Sequence, residues 1–138
     1  MSLPQHIQTA CGMESNLASS QLPLVVGEWA PAATDCAKYL NGRFIGSRYD
    51  GSFSAGMKPN GSCKGFSGKA STFSESYKAF LAQFWEAQAM TYEKAGRGWI
   101  QWTWKTEEAD EWSYQVGLAN GWIPKDPTKY QYPNICKQ

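Results

Sequence analysis

Two short apolar segments on either side of one long amphipathic segment constrain the fold of this chain most. Residues 22–29 (LPLVVGEW) form an apolar run with adjacent valines, which is typical of a strand buried on both faces of a parallel sheet. Residues 99–104 (WIQWTW) are rich in aromatics, and period two places Ile100, Trp102 and Trp104 on one face. This order predicts parallel β/α units. Because two parallel strands cannot form a sheet covered on both faces, the pattern indicates part of a larger α/β domain.

The segment between the two strands is the clearest helix in the sequence, over residues 74–95. Apolar side chains recur along it with i, i+4 and i+7 spacing. Thr72 and Glu75 have the spacing of a capping box, and Ser74 is an alternative cap. Gly96 follows the last helical residue and predicts where the helix ends.

The remaining segments are shorter or irregular. Residues 4–18 predict a short helix weakened by Gly12, and residues 111–119 predict another that ends at Gly121. Residues 30–70 contain many Gly, Ser, Asn and Asp residues without a sustained period, which predicts a long loop. Long ordered loops are usually functional or held down by cross-links.

Charge and hydropathy argue against two kinds of partner. Thirteen Lys and Arg residues balance twelve Asp and Glu residues, so the clustered positive charge that nucleic acid requires is absent. No apolar run approaches the roughly 18 residues needed to cross a bilayer. The first thirty residues show no basic start followed by an apolar stretch, so they predict no signal peptide.

The cysteines favour disulfides over a metal site. None lies in a C-x-x-C pair, and His6 is the only histidine, so no zinc spacing is present: Cys11, Cys36, Cys63 and Cys136. Two disulfides in an oxidising compartment are expected, and four cysteines allow three pairings. The glycosylation sequon at Asn60 fits secretion. A further N-terminal portion would reconcile secretion with the lack of a signal peptide.

Aromatic residues make up 14% of the chain, which raises two possibilities. The ordinary one is a core rich in tryptophan. The alternative is carbohydrate binding, because an indole offers a large rigid apolar surface to the flat C–H faces of a sugar ring. Ligand pockets in general combine such walls with a few polar groups.

The motifs along the chain resemble those of one family, and their spacing matches as well. VVGEWAPAATDCAKYLNGRFIGSRYDG, FWEAQ, GWIQWTWKTEEADEWSYQ and the terminal YPNIC are similar to the fungal exo-β-1,3-glucanases of glycoside hydrolase family 5. The resemblance implies a (β/α)8 TIM barrel, of which residues 1–138 would be a C-terminal part of the catalytic domain: the last two strands, flanking helices and a long disulfide-stapled loop. A full barrel takes roughly 250 residues. The implied activity is release of glucose from the non-reducing end of β-1,3-glucan.

The resemblance also implies a catalytic residue. The nucleophile of the family is the glutamate of its V-G-E-W motif, which matches Glu28. Active sites of barrels lie at the carboxyl ends of the strands, where Glu28 stands, although a lone glutamate is ordinarily a capping or surface residue. A retaining glycosidase needs a second carboxyl group about 5 Å away. The family has it in an Asn-Glu-Pro motif that this chain lacks. Glu107, Asp110 and Glu111 lie on the last loop without support for that role, so the isolated chain is expected to be inactive.

Four further positions match substrate-binding positions of the family. Trp102 matches the platform beneath the sugar, Trp29 completes the nucleophile motif, and Asn41 and Arg48 match polar positions of the long loop. The structural alternatives are core packing for Trp102, a loop turn for Asn41 and a surface ion pair for Arg48. Core packing is expected for two other tryptophans, Trp99 and Trp112.

Other properties follow from the same resemblance. It implies the pairs Cys11–Cys136 and Cys36–Cys63, no cofactor or metal, and an extracellular or cell-wall location. The expected partner is β-1,3-glucan or a related β-glucoside, with a monomer at full length and neither nucleic acid nor membrane as a partner. Two alternatives stay open: a non-catalytic carbohydrate-binding or interaction protein derived from this fold, and a plain disulfide-rich secreted protein whose tryptophans form the core.

Overall fold

The computed structural model describes residues 1–137, which form a small α/β unit with two parallel strands. Four helices and two strands alternate with irregular segments, and three short 3-10 turns lie at Ala70–Thr72, Asp110–Trp112 and Ile135–Lys137. In chain order the elements are α1 (Leu3–Gly12), α2 (Glu14–Ala18), β1 (Val26–Trp29), α3 (Glu75–Ala95), β2 (Trp99–Gln101) and α4 (Tyr114–Asn120).

The central helix α3 agrees with the sequence prediction at both ends. The Ser74 hydroxyl accepts a hydrogen bond from the Tyr77 N–H at 3.1 Å, so Ser74 is the N-cap. The capping box predicted from Thr72 is wrong, because Thr72 lies in the preceding 3-10 turn. Gly96 is the C-cap, and its N–H binds the Tyr92 carbonyl at 2.9 Å. The helix is buried along most of its length and forms the centre of the core.

The shorter helices also occur where they were expected. The predicted helix over 4–18 is divided at Met13 into α1 and α2, in keeping with the weakening expected at Gly12. The last predicted helix begins three residues later than expected, at Tyr114. It ends at Gly121, whose φ of 82° is the left-handed conformation that favours glycine at a helix end.

The two strands pair in parallel, as predicted, but both are shorter than the apolar segments in the sequence. The expectation that residues 22–29 are buried on both faces is wrong, since Leu22 and Val25 are exposed. Helix α3 packs against one face only, and Ile100, Trp102 and Trp104 are exposed on the other. The strands end where the backbone hydrogen bonds between them end, whereas the apolar residues in the sequence continue beyond these ends.

Aromatic rings fill the space between the sheet and α3. The Trp29 ring lies 5.8 Å from that of Trp85, 5.4 Å from Tyr92 and 5.1 Å from Trp99, in tilted or edge-on arrangements. Such geometries suit the charge distribution of aromatic rings. The core prediction for Trp99 is therefore confirmed in part, since this ring packs on the core while remaining half-buried.

Two disulfides fasten the irregular segments, and both pairs are those implied by the resemblance. Cys11–Cys136 joins α1 to the C-terminal segment, with Cα atoms 5.3 Å apart. Cys36–Cys63 closes the long loop, with a Cα separation of 5.5 Å. Between Trp29 and Ala70 the described residues contain only one isolated bridge, Lys64 with Ser67, so the predicted long loop is confirmed.

Candidate functional site

The candidate site lies at the carboxyl ends of the two strands, on the face that α3 leaves open. Glu28 is the penultimate residue of β1, and Trp102 directly follows β2. The Trp102 N–H donates to the Trp29 carbonyl at 2.8 Å, so the strands still pair beside these two residues. Parallel strands place their carboxyl ends at one edge, which is where open α/β sheets bind ligands.

An irregularity in β1 sets the direction of Glu28. Val26 pairs with Trp99 and Trp29 pairs with Gln101, so three steps along β1 match two along β2. The extra residue lets Val26 and Trp29 both pack toward the core while Gly27 and Glu28 are exposed. A bulge of this kind often redirects a side chain next to a functional site.

Side chains from α3 hold both strand ends in place. The Gln88 amide donates to the Ala30 carbonyl at 3.1 Å, just beyond β1. The Trp85 indole N–H donates to the Gln101 amide oxygen at 2.6 Å, at the end of β2. Because Gln88 and Trp85 are buried on a long capped helix, the two strand ends are fixed relative to each other.

Glu28 and Trp102 line the same open cavity, of about 470 Å³. One wall is the start of the long loop, over residues 37–40, and another is the last loop, over residues 106–109, together with Trp112. Trp102 is 54% exposed and turns apolar surface toward solvent. The structure thus brings together the predicted nucleophile and the predicted sugar platform.

The charges in the cavity are mostly negative. Among the described residues the Glu28 carboxylate has neither a hydrogen-bond donor nor an ion-pair partner from the protein. Glu107 and Glu108 line the same cavity. Lys38 forms an exposed ion pair with Glu108 at 3.5 Å, and the nearby negative charge of Glu108 raises the pKa of Lys38. Glu28 is therefore an unengaged carboxylate beside an exposed indole.

Asn41 and Arg48 lie outside the cavity lining and meet instead at Asp35. The Asn41 amide donates to the Asp35 carboxylate at 2.8 Å, and the Arg48 backbone N–H donates to it at the same distance. The Arg48 guanidinium donates to the Asn41 amide oxygen at 2.7 Å. These contacts match the structural alternatives of a loop turn for Asn41 and an ion pair for Arg48.

The Asp35 cluster organises the loop that forms one wall of the cavity. Burial alone would raise the pKa of Asp35, but hydrogen bonds from the backbones of Arg48 and Tyr49 and from the side chain of Asn41 outweigh it and lower the pKa to about 2. Asp35 therefore stays ionised at physiological pH. It directly precedes Cys36, so the cluster and the disulfide fix the segment that enters the cavity.

Trp29 does not reach the cavity. Its ring is buried in the aromatic core described above, on the side of the sheet opposite to Glu28. Its indole N–H has no hydrogen-bond partner among the described residues. In this structure Trp29 supports the strand that presents Glu28.

Two carboxylates of the last loop are structural. The Asp110 carboxylate accepts the Ala70 N–H at 2.8 Å, and the Glu111 carboxylate accepts the Gly68 N–H at 3.3 Å. Glu111 is only 2% exposed, and this burial raises its pKa to about 7 against opposing hydrogen bonds from Ser67 and Gly68. Both side chains fasten the last loop to the end of the long loop rather than line the cavity.

Three of the cavity residues that sequence reasoning missed have large apolar or aromatic side chains. Tyr39 and Leu40 were treated only as part of a loop, and Trp112, expected in the core, is half-buried and lines the cavity. The signal for Tyr39 and Leu40 was their position between Cys36 and Asn41, in a loop expected to be functional. Nothing in the local pattern around Trp112 distinguishes a cavity wall from a core position.

Other features of the described residues set limits on the site. A larger cleft, of about 1070 Å³, lies between α1, α3 and the C-terminal segment, and contains neither Glu28 nor Trp102. In residues 1–137 no three His, Cys, Asp or Glu side chains are grouped as a metal site. No helix in the same range has the length and apolar character to cross a membrane.

Fold and site together define an α/β protein with an open site at the carboxyl ends of its parallel strands. No model of a known protein family matches the chain. A probable glucan 1,3-beta-glucosidase A of Aspergillus niger is 46% identical over 99% of this chain and 33% of its own length. The glucan 1,3-beta-glucosidase of Lachancea kluyveri is 39% identical over 98% of this chain and 31% of its own length.

A probable glucan 1,3-beta-glucosidase of Arthroderma benhamiae is 40% identical over 99% of the chain and 34% of its own length. The chain is a homologue of the fungal glucan 1,3-beta-glucosidases, which confirms the resemblance inferred from its motifs. It spans about a third of the length of these relatives.

Proposed function

We propose that this chain supplies the nucleophile half of the active site of a retaining exo-β-1,3-glucanase, within a (β/α)8 barrel of glycoside hydrolase family 5. The observation that carries the proposal is the cavity in which an unengaged carboxylate, Glu28, lies beside an exposed indole, Trp102. The names of the relatives support β-1,3-glucan as the substrate. An extracellular or cell-wall location and a monomeric full-length protein belong to the same proposal.

In this mechanism Glu28 attacks the anomeric carbon of the terminal glucosyl unit. The bond to the leaving oxygen breaks as the carboxylate forms a covalent glycosyl-enzyme with inverted configuration. Water then displaces Glu28 and inverts the centre again, so the product keeps the β configuration. Trp102 offers its apolar face to the sugar and holds the anomeric carbon near the carboxylate.

The acid/base is proposed to lie outside this chain, in the part that corresponds to the other two thirds of the relatives. Asp110 and Glu111 are buried and bind backbone N–H groups, and Glu108 is paired with Lys38. General acid–base assistance contributes roughly 10²–10⁴ in rate. The isolated chain should therefore hydrolyse laminarin far more slowly than a complete relative.

The test uses a chimera in which this chain replaces the matching third of the Aspergillus niger relative. Glu28→Gln in the chimera should lower hydrolysis of a β-glucoside by orders of magnitude, because the amide keeps the size but not the nucleophile. In the smaller Glu28→Ala variant, whose truncated side chain leaves room for an anion, added azide should restore turnover and yield the glycosyl azide of inverted configuration. Glu107→Gln, a matched change in the same cavity, should keep most of the activity.

Two results would contradict the proposal. A Glu28→Gln chimera that keeps ordinary turnover to a β-configured product would place the nucleophile elsewhere. A chimera that binds laminarin through Trp102 but shows no hydrolysis, with or without substitutions at Glu28 and Glu107, would favour a non-catalytic carbohydrate-binding protein.

A further inference from the structure

One sequence motif of the long loop has no part in the candidate site. The chain contains five asparagines, and only Asn60 is followed two residues later by Ser or Thr, in Asn60-Gly61-Ser62. This motif accepts N-linked oligosaccharides where it lies on the surface of a secreted protein. No residue between positions 41 and 101 lines the cavity of Glu28, so the motif is separate from that cavity.

The side chain of Asn60 is exposed and makes no contact that a glycan would break. Asn60 lies at a bend of the long loop and ends a stretch, residues 54–60, in which every residue is exposed. No described residue forms a hydrogen bond with its side-chain amide. The other asparagine of the long loop differs, because the Asn41 amide donates to the Asp35 carboxylate at 2.8 Å. An oligosaccharide on the Asn60 nitrogen therefore costs the fold no side-chain hydrogen bond.

The backbone of the motif, by contrast, is held in place. The N–H groups of Asn60 and Gly61 both donate to the Tyr49 carbonyl, at 2.8 and 3.0 Å. The Tyr49 ring lies so close to Gly61 that a Cβ there would come within 2.6 Å of the Tyr49 hydroxyl oxygen. Immediately after the motif, Cys63 is bonded to Cys36. Because the backbone anchors this bend, the Asn60 side chain is left free for modification.

We propose that Asn60 carries an N-linked oligosaccharide. The donor is an oligosaccharide joined through its anomeric carbon to a polyprenyl pyrophosphate. The Asn60 amide nitrogen forms a bond to that carbon and releases one proton, while the anomeric C–O bond breaks and the polyprenyl pyrophosphate leaves. The Ser62 hydroxyl is the part of the motif that the transferring enzyme requires. The inference rests on the secretion included in the proposed function and is independent of any catalytic role of Glu28.

The experiment expresses the 138-residue chain in yeast behind a cleavable secretion leader. Chains from medium and cell extract are pooled and mapped by mass spectrometry, before and after an amidase removes N-glycans and converts the glycosylated Asn60 to aspartate. The parent chain should carry the glycan, Asn60→Gln and Ser62→Ala should lose it, and Ser62→Thr should keep it. Asn16→Gln is the matched control, because Asn16 is exposed but lies outside any such motif.

The outcomes separate this site from the rest of the proposed function. A parent chain without a glycan at Asn60, or a Ser62→Ala chain that keeps one, overturns the inference. Glu28→Gln should carry the same glycan, so a failure of the catalytic proposal leaves this result unaffected. If the leader-directed chain is modified but the protein from its natural source is not, the inference also fails, and the error then lies in the proposed location rather than in the accessibility of Asn60.

Discussion

Replacing Glu111 with Gln should change how the stability of this protein depends on pH. Glu111 is buried beside Tyr77 and Asp110, and accepts hydrogen bonds from Gly68 and Ser67. Burial raises its pKa from 4.5 to about 7. Between these two values the folded protein keeps a proton that the unfolded chain releases. The contribution of Glu111 to the free energy of unfolding is therefore fully present below pH 4.5 and is lost as the pH rises through 7.

The size of the effect follows from the difference between the two pKa values. A difference of roughly 2.5 pH units, at 1.36 kcal/mol for each, gives about 3 kcal/mol lost between acidic pH and pH 8. Gln keeps the shape and an oxygen acceptor for the Gly68 N–H, and cannot ionise. Glu111→Gln should thus match the parent near pH 4 and exceed it in free energy of unfolding by about 2–3 kcal/mol at pH 8.

Urea unfolding followed by tryptophan fluorescence, repeated from pH 4 to pH 8, measures this difference directly. Glu75→Gln is the control: Glu75 is exposed in the first turn of α3, and its ion pair with Lys78 is worth only a few tenths of a kcal/mol, so this change should alter the pH profile far less than Glu111→Gln does. If Glu111→Gln and the parent show parallel profiles across this range, then Glu111 is ionised in the folded protein and its burial does not have the assigned consequence.

Two further predictions concern other parts of the fold. The buried Glu86 carboxylate accepts hydrogen bonds from the backbone N–H groups of Gln131 and Tyr132 at 2.7 and 2.6 Å. Glu86→Gln turns one acceptor into a donor and should lower the free energy of unfolding by about 1–3 kcal/mol in thermal or urea unfolding. An unchanged unfolding midpoint would show that this contact is dispensable. The exposed face of β1 and β2, with Ile100, Trp102 and Trp104, should make the isolated chain self-associate and bind hydrophobic dyes. A chain that sediments as a monomer and does not increase dye fluorescence would contradict this.

Local patterns predicted the elements that local interactions determine. The helix over 74–95 was recognisable because its apolar period, its Ser74 cap and its terminal Gly96 all lie within the element. Strand lengths were overestimated because a strand ends where its partner ends. Before Val26 the described chain has one backbone contact to the partner segment, from the Arg97 N–H to the Leu24 carbonyl, and Leu22 is exposed. The disulfide pairs came from the resemblance, since spacing alone left three pairings open.

Contacts between distant segments were beyond local reasoning. The acidic stretch of the last loop is typical of a solvated surface, yet Asp110 and Glu111 are buried on backbone N–H groups about forty residues away in sequence. Glu86 fastens the C-terminal segment in the same way. In each case the carboxylate has a backbone partner that no pattern around it reveals.

The assignment of Trp29 shows where a simple physical argument was available in the sequence. Neighbouring residues of a strand ordinarily point to opposite faces, which argues against Glu28 and Trp29 both facing the cavity; the irregularity between Val26 and Trp29 keeps Glu28 and Trp29 on opposite sides. The buried position of Trp29, 5.1 Å from the ring of Trp99, follows once Glu28 faces the open side. Trp102 has the opposite placement because its face of β2 is the one α3 leaves uncovered. The same alternation thus places one tryptophan as support for the strand and leaves the other free to contact a ligand.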